Sequence, residues 1–104
     1  MGRKSYKLQY LPLFEDDLNE IVDYIQFHLK NPNAAERLVS AVHHAILTRL
    51  NNPESFEPYI SAKDREDTYY RIYVKHYVIF YVVIDDVMEV RRIMYQRRKL
   101  SDYI

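Results

Sequence analysis

The sequence predicts an α+β domain with the element order β-α-α-β-β-β, in which an antiparallel sheet carries an N-terminal helix hairpin on one face. Three observations support this fold class. A short alternating segment opens the chain, apolar residues then recur at a helical period up to residue 50, and three segments rich in β-branched and aromatic residues fill residues 69–95. Because each helix offers one apolar stripe, the hairpin is expected to cover one face of the sheet and leave the other for function.

The first strand and the first helix follow from a change of period. Residues 6–11 alternate apolar and polar side chains, and Pro12 ends this predicted strand. Apolar side chains then step by three or four residues, which predicts a helix that runs to the break at Asn31-Pro32. The predicted apolar row of this helix is Phe14, Leu18, Ile21, Ile25 and Leu29.

A second helix is predicted to begin at Asn33, since Glu36 stands three residues later as in a capping box. Asn51-Asn52-Pro53 ends this helix, and the short connection makes the two helices an antiparallel hairpin. Residues 53–68 are predicted to form an exposed loop. The predicted apolar stripe of the second helix is Ala35, Leu38, Val42, Ala45, Ile46 and Leu50.

The last third of the chain predicts an antiparallel meander of three strands. Residues 69–75 alternate, residues 77–84 are apolar throughout and form the central strand, and residues 87–95 form the last one. His76 marks the first turn and Asp85-Asp86 the second. The whole chain, residues 1–104, suits a single domain.

Composition excludes several classes of protein. The chain has no cysteine and one glycine, so it holds neither a disulfide framework nor a glycine-rich phosphate loop. His43 and His44 are neighbours on a helix and point about 100° apart, so no metal site is expected, and no cofactor. With no apolar run long enough for a membrane span or a signal peptide, we expect a cytoplasmic protein without membrane contact.

The charge is zero overall but unevenly placed, since residues 91–99 carry five basic residues and no acidic one. Arg97, Arg98 and Lys99 follow the last strand, and Tyr103 stands six residues after Arg97. Guanidinium groups bind phosphate and stabilise charge that develops on it, and a tyrosine stacks on a base or transfers a proton. The alternative is that these arginines keep the tail soluble while the tyrosine packs on the sheet.

Alternation places a second candidate row, formed by Tyr69, Arg71, Tyr73 and Lys75, on one strand face. Aromatic and basic side chains in alternation are typical of nucleic-acid surfaces, although an amphipathic strand facing water explains them equally well. Strict alternation also puts Arg92 on a face with Met88, Val90 and Met94. One arginine on an apolar face indicates a paired or ligand-facing charge, or a side chain that snorkels to water.

Six segments together resemble the RelE/ParE toxin superfamily, over about residues 6–103. The order and spacing of the segments carry the resemblance, since no one of them is specific. They are Asp17-Leu18-x-x-Ile21-x-x-Tyr24-Ile25, Pro32-x-Ala34-Ala35, Leu50-x-x-Pro53, Tyr70-Arg71-Ile72-Tyr73-Val74, Tyr77-Val78-Ile79-Phe80-Tyr81 and Val90-x-x-Ile93-x-Tyr95-x-Arg97-Arg98.

The resemblance implies the toxin half of a bacterial type II toxin–antitoxin pair. Its implied partner is a cognate antitoxin that wraps the toxin and covers its functional face in a hetero-oligomer. Two mechanisms occur in the superfamily. RelE-like members enter the ribosome and cut mRNA without a metal ion, using the RNA 2′-hydroxyl as nucleophile, and ParE-like members block DNA gyrase.

The residues divide between these mechanisms. Arg97 and Tyr103 match the arginine and late tyrosine of the RelE-like nucleases, and Arg71 falls where those enzymes often carry a basic residue. Val78, however, falls where many of them carry a catalytic arginine, Tyr73 replaces a second basic residue, and the long helix hairpin is similar to that of ParE.

The sequence by itself leans slightly towards mRNA cleavage. In this hypothesis Arg97, Tyr103 and Arg71 are catalytic. Gyrase inhibition and a toxin relic that only binds its antitoxin stay open as alternatives. The residues expected to bind RNA are Lys75, Arg92, Arg98, Lys99 and Tyr73.

Overall fold

A computed structural model describes residues 5–59 and 67–96 of the protein. The predicted order of strands and helices is confirmed, with a π-helical segment added between the two helices. The elements are β1 (Lys7–Tyr10), α1 (Pro12–Asp23), the π-helical segment (Tyr24–His28), α2 (Pro32–Leu50), β2 (Tyr70–Val74), β3 (Tyr77–Ile84) and β4 (Val87–Tyr95).

The four strands form one sheet in the order β1-β4-β3-β2. The antiparallel meander predicted for β2, β3 and β4 is confirmed. β1 pairs with β4 in parallel, so the expectation of a wholly antiparallel sheet is corrected at this strand. A hairpin turn fixes the direction of β3 and β4, whereas β1 reaches its neighbour only through tertiary packing, which the local sequence does not encode.

The helix hairpin packs on one face of the sheet and forms the main core there, as predicted. Phe14 of α1 is buried in this core, and of the six residues predicted for the α2 stripe, Ala45 and Leu50 are only partly buried. The fully buried contacts come from both layers: Leu38, Val42 and Ile46 of α2, and Ile79, Tyr81, Met88, Val90 and Ile93 of the sheet.

Two predicted helix ends are corrected. The Leu29 N–H donates to the Tyr24 carbonyl at 3.0 Å, a π-type bond that widens the turn and shifts Leu29 out of the apolar row. Leu29 is therefore 54% exposed instead of buried. The cap of α2 is Asn31, not Asn33, because its side chain accepts from the Ala34 N–H at 3.2 Å while Pro32 takes the first helical position.

The outer face of the sheet carries a second, smaller core. Val78, Phe80 and Met94 are buried there beneath Tyr59 and Tyr69. A β-bulge between Phe80 and Tyr81 leaves one residue of β4 unpaired. Strict alternation fails at this point, so Met94 packs on the outer face while Met88 and Val90 pack under the helices, and the shared face predicted for them with Arg92 is wrong.

A polar network fastens the segment after α2 to the edge of the sheet. The Arg49 guanidinium donates to the Arg71 carbonyl at 3.0 Å and to the Tyr81 hydroxyl at 2.9 Å. Tyr81 in turn donates to the Pro53 carbonyl at 2.6 Å, and the Phe56 ring lies 3.5 Å from the Arg49 guanidinium carbon. The predicted loop is exposed over residues 54–58, but Pro53 is buried by this network.

Candidate functional site

The first candidate surface is the outer face of β2, where sequence reasoning placed a row of aromatic and basic residues. The alternation is confirmed within β2, since Tyr70, Ile72 and Val74 are buried on the helix side. Lys75 does not continue the row, because it lies beyond the end of β2 at a φ of 53° and lines the groove described below. The Arg71 guanidinium carbon lies 4.9 Å from the Tyr59 ring centroid and 5.8 Å from that of Tyr73. Arg71 therefore makes cation–π contacts with two tyrosines of the same chain. The Tyr73 side chain nevertheless remains 56% exposed.

Arg91, which sequence reasoning did not single out, is the bulge residue on this surface. Its guanidinium contacts Glu89 at 2.8 Å and Asp67 at 3.1 Å, and it donates to the Tyr69 hydroxyl at 2.9 Å. Burial alone would lower the pKa of Arg91, but the hydrogen bonds with Tyr69 and Glu89 outweigh it and raise the pKa. Arg91 therefore stays positively charged, and it forms ion pairs with two carboxylates of the same chain, those of Glu89 and Asp67.

Arg92 is held by Asp17 of α1 in a two-pronged ion pair. Arg92 Nε lies 2.7 Å from Asp17 Oδ2, and Nη2 lies 3.0 Å from Oδ1. The Ile93 N–H also donates to Oδ2, at 3.2 Å. β1 pairs with β4 only as far as Val90, so the Asp17 carboxylate takes the place of the missing strand. The interpretation of Arg92 as a paired charge is confirmed, although nothing in the sequence named Asp17 as its partner.

The second candidate surface is a groove of about 960 Å³ between the first helix with its π-helical segment and the adjoining ends of β3 and β4. Of the predicted RNA-binding residues, Lys75 and Arg92 line this groove. Its other walls are largely apolar and aromatic. They include Ile21, Tyr24, Ile25, Leu29, Leu38, Tyr77, Met94 and Tyr95.

Among the described residues, three tyrosines line this groove, Tyr24, Tyr77 and Tyr95, and the π-helical segment carries two further exposed rings, Phe27 and His28. Tyr24 stacks on His28 with ring centroids 4.9 Å apart, and Tyr95 meets Tyr77 edge to face at 5.6 Å. Tyr24 is 53% exposed, and Phe27 on the same π-helical segment is 68% exposed. A patch of this kind on a small protein is typical of a surface that binds another protein.

The predicted catalytic pair Arg97 and Tyr103 lies outside the described residues, as do Arg98 and Lys99, and their roles stay predictions. The described chain ends at Gln96, whose side-chain amide donates to the carbonyls of Lys75 and Tyr77, each at 3.1 Å. The structure places Lys75 and Arg92 along the groove, and Arg71 and Tyr73 on the outer face.

Comparison with known proteins agrees with this fold. The family model of the ParE toxin of the type II toxin–antitoxin system parDE matches residues 8–100. The chromosomal ParDE system from P. aeruginosa superposes with a TM-score of 0.72 at 13% identity, covering 88% of this chain and 97% of that one. The RelB–RelE antitoxin–toxin complex from Methanococcus jannaschii superposes with a TM-score of 0.49 at 21% identity, covering 92% of this chain and 98% of that one. No curated protein matches the chain.

The fold and these matches define a toxin domain of the RelE/ParE superfamily. Within it, the chain belongs to the ParE toxin family of type II toxin–antitoxin systems. Within residues 5–59 and 67–96, no helix is long and apolar enough to cross a membrane.

Proposed function

We propose that this toxin pairs with a cognate antitoxin and, when released, stops growth by binding DNA gyrase in the cytoplasm. The observation that carries the choice of target is that the chain's own side chains cover the centre of the sheet face expected to hold RNA, while Tyr73 on the edge strand stays exposed. Val78, at the position where many RelE-like nucleases carry a catalytic arginine, is fully buried beneath Tyr59 and Tyr69. Tyr59 and Tyr69 therefore occupy the surface above Val78 on which a base would otherwise stack.

The distribution of charge supports the same choice. Binding to RNA draws most of its strength from basic groups that meet phosphates. Arg91 contacts two carboxylates and Arg92 contacts Asp17, so these two guanidinium groups are matched within the chain. The net charge of the whole chain is zero. A protein target suits the apolar groove and the exposed Tyr24 and Phe27 better than a polyanion does.

A supercoiling assay with purified gyrase, relaxed plasmid and the purified toxin tests this proposal. The toxin is expected to inhibit supercoiling, and Phe27→Ser is expected to raise the concentration for half-inhibition about tenfold, because an exposed phenylalanine buried in an interface contributes roughly 1.5 kcal/mol or more. Ile84→Ser is the control, since Ile84 is 41% exposed at the opposite end of β3. Unchanged supercoiling at saturating toxin would refute gyrase as the target.

Ribosome-dependent mRNA cleavage is the second candidate. It is supported by Lys75, which is exposed on the groove, and by the match in sequence between Arg97 and the arginine of the RelE-like nucleases. Growth arrest in cells that express Arg97→Ala is expected to equal that of the wild type if gyrase is the target. New mRNA 5′ ends, mapped by primer extension minutes after induction and lost in Arg97→Ala, would establish cleavage instead. No arrest by the wild-type chain would leave a relic that only binds antitoxin.

A further inference from the structure

Within residues 5–59 and 67–96, one edge of β1 is open. Among the described residues only β4 pairs with it. The Lys7 N–H donates to the Asp86 carbonyl at 2.7 Å and the Leu11 N–H to the Val90 carbonyl at 3.0 Å. In a parallel pair, every second residue of a strand bonds to a given neighbouring strand. Leu8 lies between residues that bond to β4, so its N–H and C=O point away from β4. The same holds for Tyr10. These two residues offer a row of hydrogen-bonding groups to another strand.

An apolar shelf on α2 flanks this edge. The Tyr10 ring meets the His43 ring edge to face at 6.1 Å, and the Tyr6 hydroxyl donates to Glu54 at 2.8 Å. These two contacts show that β1 runs antiparallel along the second half of α2. Leu47 lies one helical turn after His43, on the same side of α2 and between the two contacts. It is 55% exposed, a large apolar side chain beside an open strand edge.

We propose that an extended segment of the antitoxin pairs with the open edge of β1 as an added strand, with its apolar side chains on Leu47 and its acidic side chains beside Lys7. The inference rests on the proposed partnership with an antitoxin and is independent of the target of the toxin. Strand addition supplies main-chain hydrogen bonds for affinity, and alternate side chains supply specificity.

The chemistry of this segment follows from the two faces of β1. Leu8 and Tyr10 pack against the main core, so the helix side of the edge is apolar. Lys7 and Gln9 are exposed on the outer side, where a carboxylate of the added strand would meet a cation. A second copy of this chain fits less well, because antiparallel pairing of two β1 strands brings a second Lys7 to the same face.

Binding of a synthetic peptide tests the proposal without the antitoxin. The probe is a fluorescein-labelled peptide of about seven residues, the usual length of a strand, that alternates valine and glutamate. Leu47→Ser is expected to weaken its binding about tenfold, as the loss of one buried leucine implies. Leu29→Ser is the matched control, since Leu29 is 54% exposed in the groove and should leave the affinity unchanged. A scrambled peptide of the same composition is expected to bind at least about tenfold more weakly.

Amide exchange measured by NMR locates the peptide. Saturating peptide is expected to slow exchange at Leu8 and Tyr10 and to leave Gln9, already bonded to β4, nearly unchanged. Absence of binding, or protection around Leu29 instead, would overturn the proposal. So would a toxin dimer that Leu47→Ser dissociates, because a second copy would then occupy the edge. Failure of gyrase inhibition alters none of these readouts, so the two proposals fail separately.

Discussion

Asp17→Ala is expected to lower the free energy of unfolding by about 3 kcal/mol, because it removes three hydrogen bonds at once. Two of them hold the Arg92 guanidinium, and the third satisfies the Ile93 N–H where β1 has ended. The side chains of Asp17 and Arg92 are 11% and 21% exposed, so the unpaired arginine would recover only part of its hydration. Urea unfolding at neutral pH measures the loss.

Three further variants make this measurement specific. Asp17→Asn keeps an acceptor for the Ile93 N–H and is expected to lose less stability than alanine. Asp16→Ala removes the neighbouring exposed carboxylate and should stay within about 0.5 kcal/mol of the wild type. In Asp17→Leu combined with Arg92→Met, most of the lost stability should return, since no charge is left unpaired. An Asp17→Ala protein as stable as the wild type would show that the pair contributes nothing.

Tyr81→Phe is expected to cost about 2 kcal/mol, because its hydroxyl both donates to the Pro53 carbonyl and accepts from Arg49. The side chain is fully buried, so phenylalanine leaves the buried Pro53 carbonyl without its donor and removes one acceptor of the half-buried Arg49. Tyr70→Phe is the matched control, because its ring stacks on Tyr81 at 5.2 Å and it sits in the same core. Equal losses for the two variants would contradict a special role for the Tyr81 hydroxyl.

The difference between the wild type and Tyr81→Phe should narrow in alkali. Burial raises the pKa of Tyr81 above its usual value of 10.0, and Arg49 only partly opposes this. A raised pKa means that the neutral hydroxyl stabilises the fold below the unfolded pKa, and that this contribution is lost as the pH rises through the folded pKa. Urea unfolding of both proteins at pH 7 and at about pH 10.5 checks the direction. A constant difference would contradict the raised pKa.

Three arginines of the described residues, one on α2 and two on β4, are matched by groups of the same chain. Each guanidinium group donates hydrogen bonds within the chain: Arg49 to the Arg71 carbonyl, Arg91 to the Tyr69 hydroxyl and Arg92 to the Asp17 carboxylate. Large exposed apolar and aromatic side chains, among them Phe27 and Tyr24, also lie on the described surface.

Patterns within single elements were readable from the sequence. The step of three or four residues placed Phe14 and the stripe of α2 in the core, and β-branched runs placed β3 inside the sheet. As the one charge on its predicted strand face, Arg92 indicated a partner, and that partner exists, although the predicted face was wrong. The order and spacing of these segments also indicated the toxin family that the chain belongs to. The inferences about burial use local periodicity, which the backbone geometry of helices and strands imposes on a sequence, whereas the family was indicated by a resemblance.

Features that depend on contacts across the chain came only from the tertiary structure. Asp17 and Arg92 are far apart in sequence, and Arg49 reaches Tyr81 only once α2 lies on the sheet. The β4 bulge shifts side chains between faces, and the π-helical turn moves Leu29 out of its row, because one extra residue changes the period of each element. Periodicity predicts which side of an element is buried, but only packing decides which charges meet and therefore which surface remains for a partner.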